Sequence, residues 1–255
     1  VRPSFLSLPP RGDKPRVVGL THVLDKGLTT GATSALLDVV GDQVDVWKFG
    51  WGIAYIDPGL TRKIAYLRER EVATCLGGTL LEIAWSQGRA QECLAWAEQV
   101  GFDAVEVSRG VAPMRLDDKR ELIKVAAESF IVLAETGIKD ERVILSAEQW
   151  RDEISQDVAA GATWVITEGR ESGTVGIYDR SGRPHPDIIE AAVHAAGLDR
   201  VLFEAPRKDQ QAWLINRYGP DVNLANIAPD DVLPLTTLRL GLRADTASLT
   251  IGHWR

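Results

Sequence analysis

The stretch Thr163–Tyr178, TWVITEGRESGTVGIY, joins the apolar run Trp164-Val165-Ile166 to Glu168, Gly169, Arg170, Glu171, Ser172 and Gly173. Charge crowded onto the end of a buried strand points to a site, because a buried charge is costly unless something pairs with it. The same pattern also fits a strand running into a solvated, salt-bridged turn. Repetition favours the site, because Glu106, Glu135 and Glu204 stand at the ends of other apolar runs. Such carboxylates supply hard oxygen ligands for Mg²⁺, which prefers near-octahedral oxygen coordination and keeps several waters. All four glutamates cannot ligate one dication unless lysine or arginine neutralises some of them. Arg170 with Ser172 and Gly173, and the Gly77-Gly78 pair between a strand and a helix, suit a phosphate or carboxylate. A guanidinium fork and backbone N–H groups match such oxyanions. A purely structural ion-pair lattice is the competing reading of these residues.

Eight strand candidates must carry these groups: Val17–Val23, Asp45–Phe49, Val72–Leu76, Asp103–Val107, Phe130–Ala134, the run at Thr163, Arg200–Phe203 and Val222–Leu224. Helical patterns alternate with them: Thr30–Gly41, a helix opened by Asp57-Pro58 and running to about 70, and, after Gly77-Gly78-Thr79, a long amphipathic segment running to Val100. Leu116–Ser129, Ser146–Ala160, Asp187–Ala196, Asp209–Tyr218 and Asp230–Leu240 complete the series. Alternation on roughly thirty-residue spacing predicts an α/β fold, a single (β/α)8 barrel spanning 1–255 with an extended lead-in over about 1–16. An open doubly wound sheet is the runner-up, but its Gly-x-Gly-x-x-Gly fingerprint is absent. In a barrel every strand ends at one mouth. Asp25, Lys26, Lys48, Glu106, Glu135, Lys139, Glu168, Arg170, Glu171, Glu204, Lys208 and Asn226 would then surround one pocket, with Trp51 as a wall.

Composition removes other classes. A formal net charge of -7 and no dense Lys/Arg block argue against nucleic acid. No apolar run is long enough to span a bilayer and no signal-peptide core is seen, so a cytoplasmic protein without a membrane partner is expected. Cys75 and Cys93 are too few and too far apart for a disulfide framework or zinc site. The histidines form no catalytic pattern: His22 lies inside the first strand, and there is no Gly-x-Ser-x-Gly or His-Glu-x-x-His.

The chain resembles the phosphosulfolactate synthase family, which adds sulfite to phosphoenolpyruvate in coenzyme M biosynthesis and has plant heat-stress-associated relatives. The motifs carrying the resemblance span nearly the whole chain. They include Asp25-Lys26-Gly27-Leu28, Lys48-Phe49-Gly50-Trp51-Gly52, Gly77-Gly78-Thr79-Leu80, Glu168-Gly169-Arg170-Glu171-Ser172-Gly173, Phe203-Glu204-Ala205-Pro206 and Val222-Asn223-Leu224-Ala225-Asn226-Ile227. The resemblance implies a (β/α)8 barrel and a Mg²⁺-dependent lyase. Glu106, Glu135, Glu168 and Glu204 are then the candidate metal residues. Lys139 would protonate C2 of the substrate, with Lys26 and Lys48 steering the incoming anion. Arg170, Ser172, Gly173, Gly77, Gly78, Lys208 and Asn226 would bind phosphoenolpyruvate. A homo-oligomer is compatible with this reading. The chain departs from the family pattern at Arg109 (usually Asp or Asn), Arg207 (usually Gln) and Ile53 (usually Thr). These changes put a different nucleophile, or a non-catalytic stress-type relative, beside the synthase reading.

Overall fold

Short runs of Val, Ile, Leu and aromatic residues, each closed by glycine or a polar cluster, form eight parallel strands. These are β1 Thr21–Asp25, β2 Val46–Phe49, β3 Ala73–Leu76, β4 Ala104–Val107, β5 Ile131–Thr136, β6 Trp164–Thr167, β7 Val201–Glu204 and β8 Leu224–Ile227. The computed structural model describes residues 5–138 and 145–251. Each strand pairs with the next, and β8 returns to β1, closing the barrel. Around it lie α1 Thr30–Val40, α2 Ile53–Ile56, α3 Leu60–Arg68, α4 Gly78–Ser86, α5 Ala90–Val100, α6 Leu116–Ala126, α7 Ala147–Ala160, α8 Pro186–Ala196, α9 Lys208–Tyr218 and α10 Val232–Arg239. Among the described residues no helix is long and apolar enough to cross a membrane.

Side-chain alternation along the strands decides what reaches the mouth. Leu20, Val46, Cys75, Ala104, Leu133, Ile166, Leu202 and Ala225 pack together inside the barrel. Two residues further on, Lys48, Gly77, Glu106, Glu135, Glu168 and Glu204 share that interior at the strand ends. The intervening residues, such as Trp47, Val105, Ala134, Val165 and Phe203, join the larger core beneath the helices. The apolar layer is therefore the floor of the cavity above it. On β8 the alternation is broken: Asn226 follows Ala225 directly and holds a left-handed backbone (φ 54°), beside a register shift between β1 and β8. Asparagine tolerates that conformation better than most side chains.

Several boundaries differ from the sequence reading. The segment from 78 to 100 is two helices, because Gly88 (φ 69°) turns the chain after α4. Asp57 does not cap α3 directly. Its carboxylate accepts the Gly59 N–H at 2.8 Å, and the preceding residues form the short α2. β1 and β8 each lie further along the chain than expected. Asp25 and Asn226 therefore sit within strands rather than after them. The Ser146 cap does form, as a reciprocal box with Gln149. The lead-in is pinned to the barrel by Arg16, whose guanidinium lies 2.9 Å from Asp45.

Candidate active site

At the C-terminal ends of the strands a cavity of about 280 Å³ is lined by Leu24, Lys48, Gly50, Trp51, Gly77, Gly78, Thr79, Glu106, Val111, Glu135, Glu168, Arg170, Glu171, Glu204 and Asn226. Its size suits a small substrate. Lys48 stands on its floor. The ammonium donates to Glu106 Oε2 at 2.7 Å and lies 3.9 Å from Glu204 Oε1. Burial alone would lower the pKa of this lysine, but Glu106, Glu204 and Glu135 together outweigh burial and raise it. Glu204 is pushed up to about 7 by burial, opposed by Lys48 and reinforced by Glu135.

Three carboxylates are already engaged by backbone. Glu106 Oε1 accepts the Gly78 N–H at 3.0 Å, so the positive end of α4 faces a carboxylate of the protein itself. Glu204 Oε2 accepts the Gly169 and Arg170 N–H groups at 2.7 and 2.9 Å, and its other oxygen accepts from the Asn226 amide. Gly78 and the Gly169-Arg170 turn therefore shape the cavity through carboxylates, Gly77 N donates to the Phe49 carbonyl at 3.2 Å, and these N–H groups are not left pointing at a ligand. Glu168 Oε1 accepts a further bond from Arg170 N, at 2.8 Å. Arg170 adopts a left-handed backbone (φ 59°), as do Trp51 (φ 50°) and Asn226. Three of the non-glycine residues held in this sparsely populated region thus line one cavity, where such conformations concentrate.

Of the expected constellation, Lys48, Glu106, Glu135, Glu168, Arg170, Glu171, Glu204, Asn226, Gly77 and Gly78 meet here. The other expected neighbours among the described residues do not line the cavity. Asp25 is the last residue of β1 and points outward. Its carboxylate accepts from the Gly27 and Leu28 N–H groups, from Trp47 Nε1 and from Lys63 Nζ, and it serves as a buried brace between β1, β2 and α3. Lys26 lies over the Trp51 ring, 5.4 Å from its centroid, and touches the cavity through that ring. Lys208 opens α9 and pairs with Asp245 at 2.8 Å, away from the cavity. Ser172 is exposed and shares a hydrogen bond with Thr174, while the Gly173 carbonyl accepts from Gln210. Neither lines the cavity. Lys139 lies outside the described residues. Arg109 turns to Glu153 at 2.8 Å, Arg207 donates to the Ser181 carbonyl, and Ile53 faces a separate groove. None of the three departures from the family pattern enters the cavity. His22 is buried and accepts from the Asn226 N–H at 3.3 Å. Burial, with Lys48 nearby, drives its pKa well down, so it is a neutral barrel residue.

Sequence reading passed over Glu82 and Val111, and named Thr79 only within the motif Gly77-Gly78-Thr79-Leu80. Thr79 and Val111 line the cavity. Glu82 lies behind the wall, and the signal it gave was a lone carboxylate inside the apolar run Leu80-Leu81-Glu82-Ile83-Ala84.

The family profile described as (2R)-phospho-3-sulfolactate synthase (ComA) matches residues 9–245. The chain belongs to the phosphosulfolactate synthase family. It is 42% identical to the phosphosulfolactate synthase of Methanocaldococcus jannaschii, over 89% of this chain and 93% of the relative. It is 38% identical to that of Bacillus subtilis, over 94% and 97%. In three dimensions it is similar to 3-keto-L-gulonate-6-phosphate decarboxylase from Vibrio cholerae. That match has TM-score 0.55 and 14% identity and covers 87% of this chain and 95% of the other, a likeness of fold. For a phosphosulfolactate synthase family member, the cavity at the barrel mouth is the place to seek chemistry, as in barrels generally.

Whether Mg²⁺ suits this cavity is a question of donors. Among the described residues no three His, Cys, Asp or Glu side chains form a cluster that could hold a metal ion. Glu106 and Glu204 are engaged by Lys48 and backbone N–H groups and Glu168 by the Arg170 N–H, so the four glutamates do not form a bare set of metal donors. Mg²⁺ is commonly held by one or two carboxylates together with waters and substrate oxygens. The donor set fits that mode, and it does not fit a cage of four glutamates.

Proposed function

We propose that the chain catalyses addition of sulfite to C3 of phosphoenolpyruvate, giving phosphosulfolactate. The observation that carries this reading is the charge balance of the cavity. Glu106, Glu135, Glu168, Glu171 and Glu204 face Lys48 and Arg170 among the described lining residues. A phosphate- and carboxylate-bearing substrate would be repelled by that surplus unless further positive charge enters with it. Mg²⁺, held by one or two of the glutamates among Glu106, Glu135, Glu168 and Glu204, would supply that charge and act as a Lewis acid toward the substrate oxygens.

The residues of the chain then divide the remaining work. The sulfur lone pair attacks the terminal vinyl carbon and forms the C–S bond, and the π electrons move to C2 and the carboxylate. Lys48, kept as an ammonium by its carboxylate neighbours, offsets that developing charge from the floor. A raised pKa makes Lys48 a poor proton donor, so the proton for C2 is assigned to Lys139, as the family resemblance implies. Arg170 grips the phosphate from the rim, and Lys26 with Trp51 guides anions inward. That Arg109, Arg207 and Ile53 all stay outside the cavity supports sulfite over a different nucleophile.

Incubating the protein with phosphoenolpyruvate, sulfite and Mg²⁺ should yield phosphosulfolactate by mass spectrometry. Calorimetric titration should show phosphoenolpyruvate binding that strengthens with Mg²⁺. Failure to bind in either condition removes the synthase reading. Lys139→Ala should lower kcat by about 10²–10⁴, the usual worth of general acid catalysis, with the thermal midpoint unchanged. An unaltered rate would take Lys139 out of the mechanism.

A further inference from the structure

Glu82 projects from α4 and is 1% exposed, although the residues around it on that helix are apolar. A carboxylate buried so deeply is costly unless its oxygens are fully engaged, and an apolar residue would serve the packing of α4 without that cost. All four of its hydrogen bonds go to one short stretch. Oε1 accepts from the Ser108 hydroxyl and from Gly110 N at 3.0 Å, and Oε2 accepts from Val111 N at 2.7 Å and Ala112 N at 2.8 Å. These donors belong to the loop between β4 and α6, and Val111 of that loop lines the cavity. Gly78, at the start of α4, has no room for a β-carbon against Ser108, which locks the loop against the same cavity wall. A second anchor is the Arg109–Glu153 pair. Glu153 also receives Lys119 Nζ at 2.9 Å, and the same ammonium donates to the Glu135 carbonyl at 2.7 Å.

We infer that Glu82 is a positioning residue: it folds loop 108–112 around its carboxylate, and the loop then forms the wall that holds phosphoenolpyruvate in the cavity. Glu82 itself does not line the cavity, so its effect on the reaction passes through the loop. The inference concerns a site whose substrate rests on the function proposed above.

Glu82→Gln tests it, since an amide keeps the size of the side chain but presents N–H groups where one pair of donors needs an acceptor. In steady-state assays its KM for phosphoenolpyruvate should rise about tenfold while kcat changes less than about threefold, the pattern of lost ground-state binding. Trypsin applied to the native protein should cut after Arg109 or Arg115 at least about ten times faster than in the parent, because a freed loop opens locally. Glu82→Asp should regain part of both effects. Ser108→Ala, which removes one donor and leaves the carboxylate, should move KM and cleavage in the same direction by less, and it carries the test if Glu82→Gln does not fold. Unchanged cleavage in Glu82→Gln and Ser108→Ala would show that Glu82 does not hold the loop. Faster cleavage with unchanged KM would show that the loop is not the wall. If the parent itself turns over no phosphoenolpyruvate and sulfite, the function proposed above fails, while the cleavage comparison still decides whether Glu82 holds the loop.

Discussion

Lys48→Met should lower kcat for phosphosulfolactate formation in steady-state assays by about 10²–10³, the cost of removing one preorganised charge partner from a buried site. The same change should destabilise the fold by about 3–5 kcal/mol, because it leaves Glu106 buried without its cation and Glu204 without its nearby one. The two effects are separable. Lys48→Met combined with Glu106→Gln removes both charges of the 2.7 Å pair, so denaturant unfolding should regain most of the lost stability. Its kcat should stay as low as that of the single variant, since the floor of the cavity still lacks a positive charge. Recovery of activity in the double variant would mean that Lys48 acts only through the fold. The sign of the pKa shift sets the pH behaviour. Because the Lys48 value is raised, its ion-pair contribution is complete below the ordinary lysine range, about 10.4, and fades only as pH climbs through the higher folded value. Loss of activity between about pH 7 and 9 would therefore have to come from another group.

Most of the architecture was legible because strand and helix periods alternate regularly along the chain. The constellation was legible in part, and the failures have several physical causes. Glu106 and Asp25 both read as charge at the end of an apolar run, yet alternation turns Glu106 into the barrel and Asp25 out toward Lys63 and Trp47. A strand start misplaced by a few residues, as at β1, hides that parity. Lys208 was grouped with Glu204 by proximity in sequence, but the chain has already entered α9 and points the side chain at Asp245. Asn226 reaches the cavity because a left-handed residue breaks the alternation of β8, which no periodic pattern reports. Glu82 escaped notice for a different reason. Its partners lie 26 to 30 residues away on another loop, and spacing along one helix says nothing about them.

The glycines of the opening stretch, Glu168 to Ile177, give the second large effect. Gly176 has φ 63°, and the chain there crosses the Glu168 carbonyl so closely that a β-carbon would overlap its oxygen and lie 2.8 Å from its carbon. Ile177 N donates to that same carbonyl at 3.1 Å, so the crossing is fixed by a hydrogen bond as well as by the lack of a side chain. Gly88 provides a control with nearly the same backbone, φ 69°, and nothing within 4 Å of an added β-carbon. Gly88→Ala should cost about 1–2 kcal/mol, the price of the left-handed conformation alone. Gly176→Ala adds an overlap with backbone, which cannot swing aside as a side chain can. It should cost at least about 3 kcal/mol, in the range of strained and overpacked substitutions. Because the displaced carbonyl belongs to Glu168, the side-chain carboxylate of the same residue in the cavity lining moves with it, and phosphoenolpyruvate binding should weaken by at least about tenfold even in the fraction that folds. Gly88→Ala should leave binding unchanged. Equal losses of stability in the two variants, measured by denaturant unfolding, would mean that the crossing relaxes without strain and that the motif is a turn rather than a support for the site.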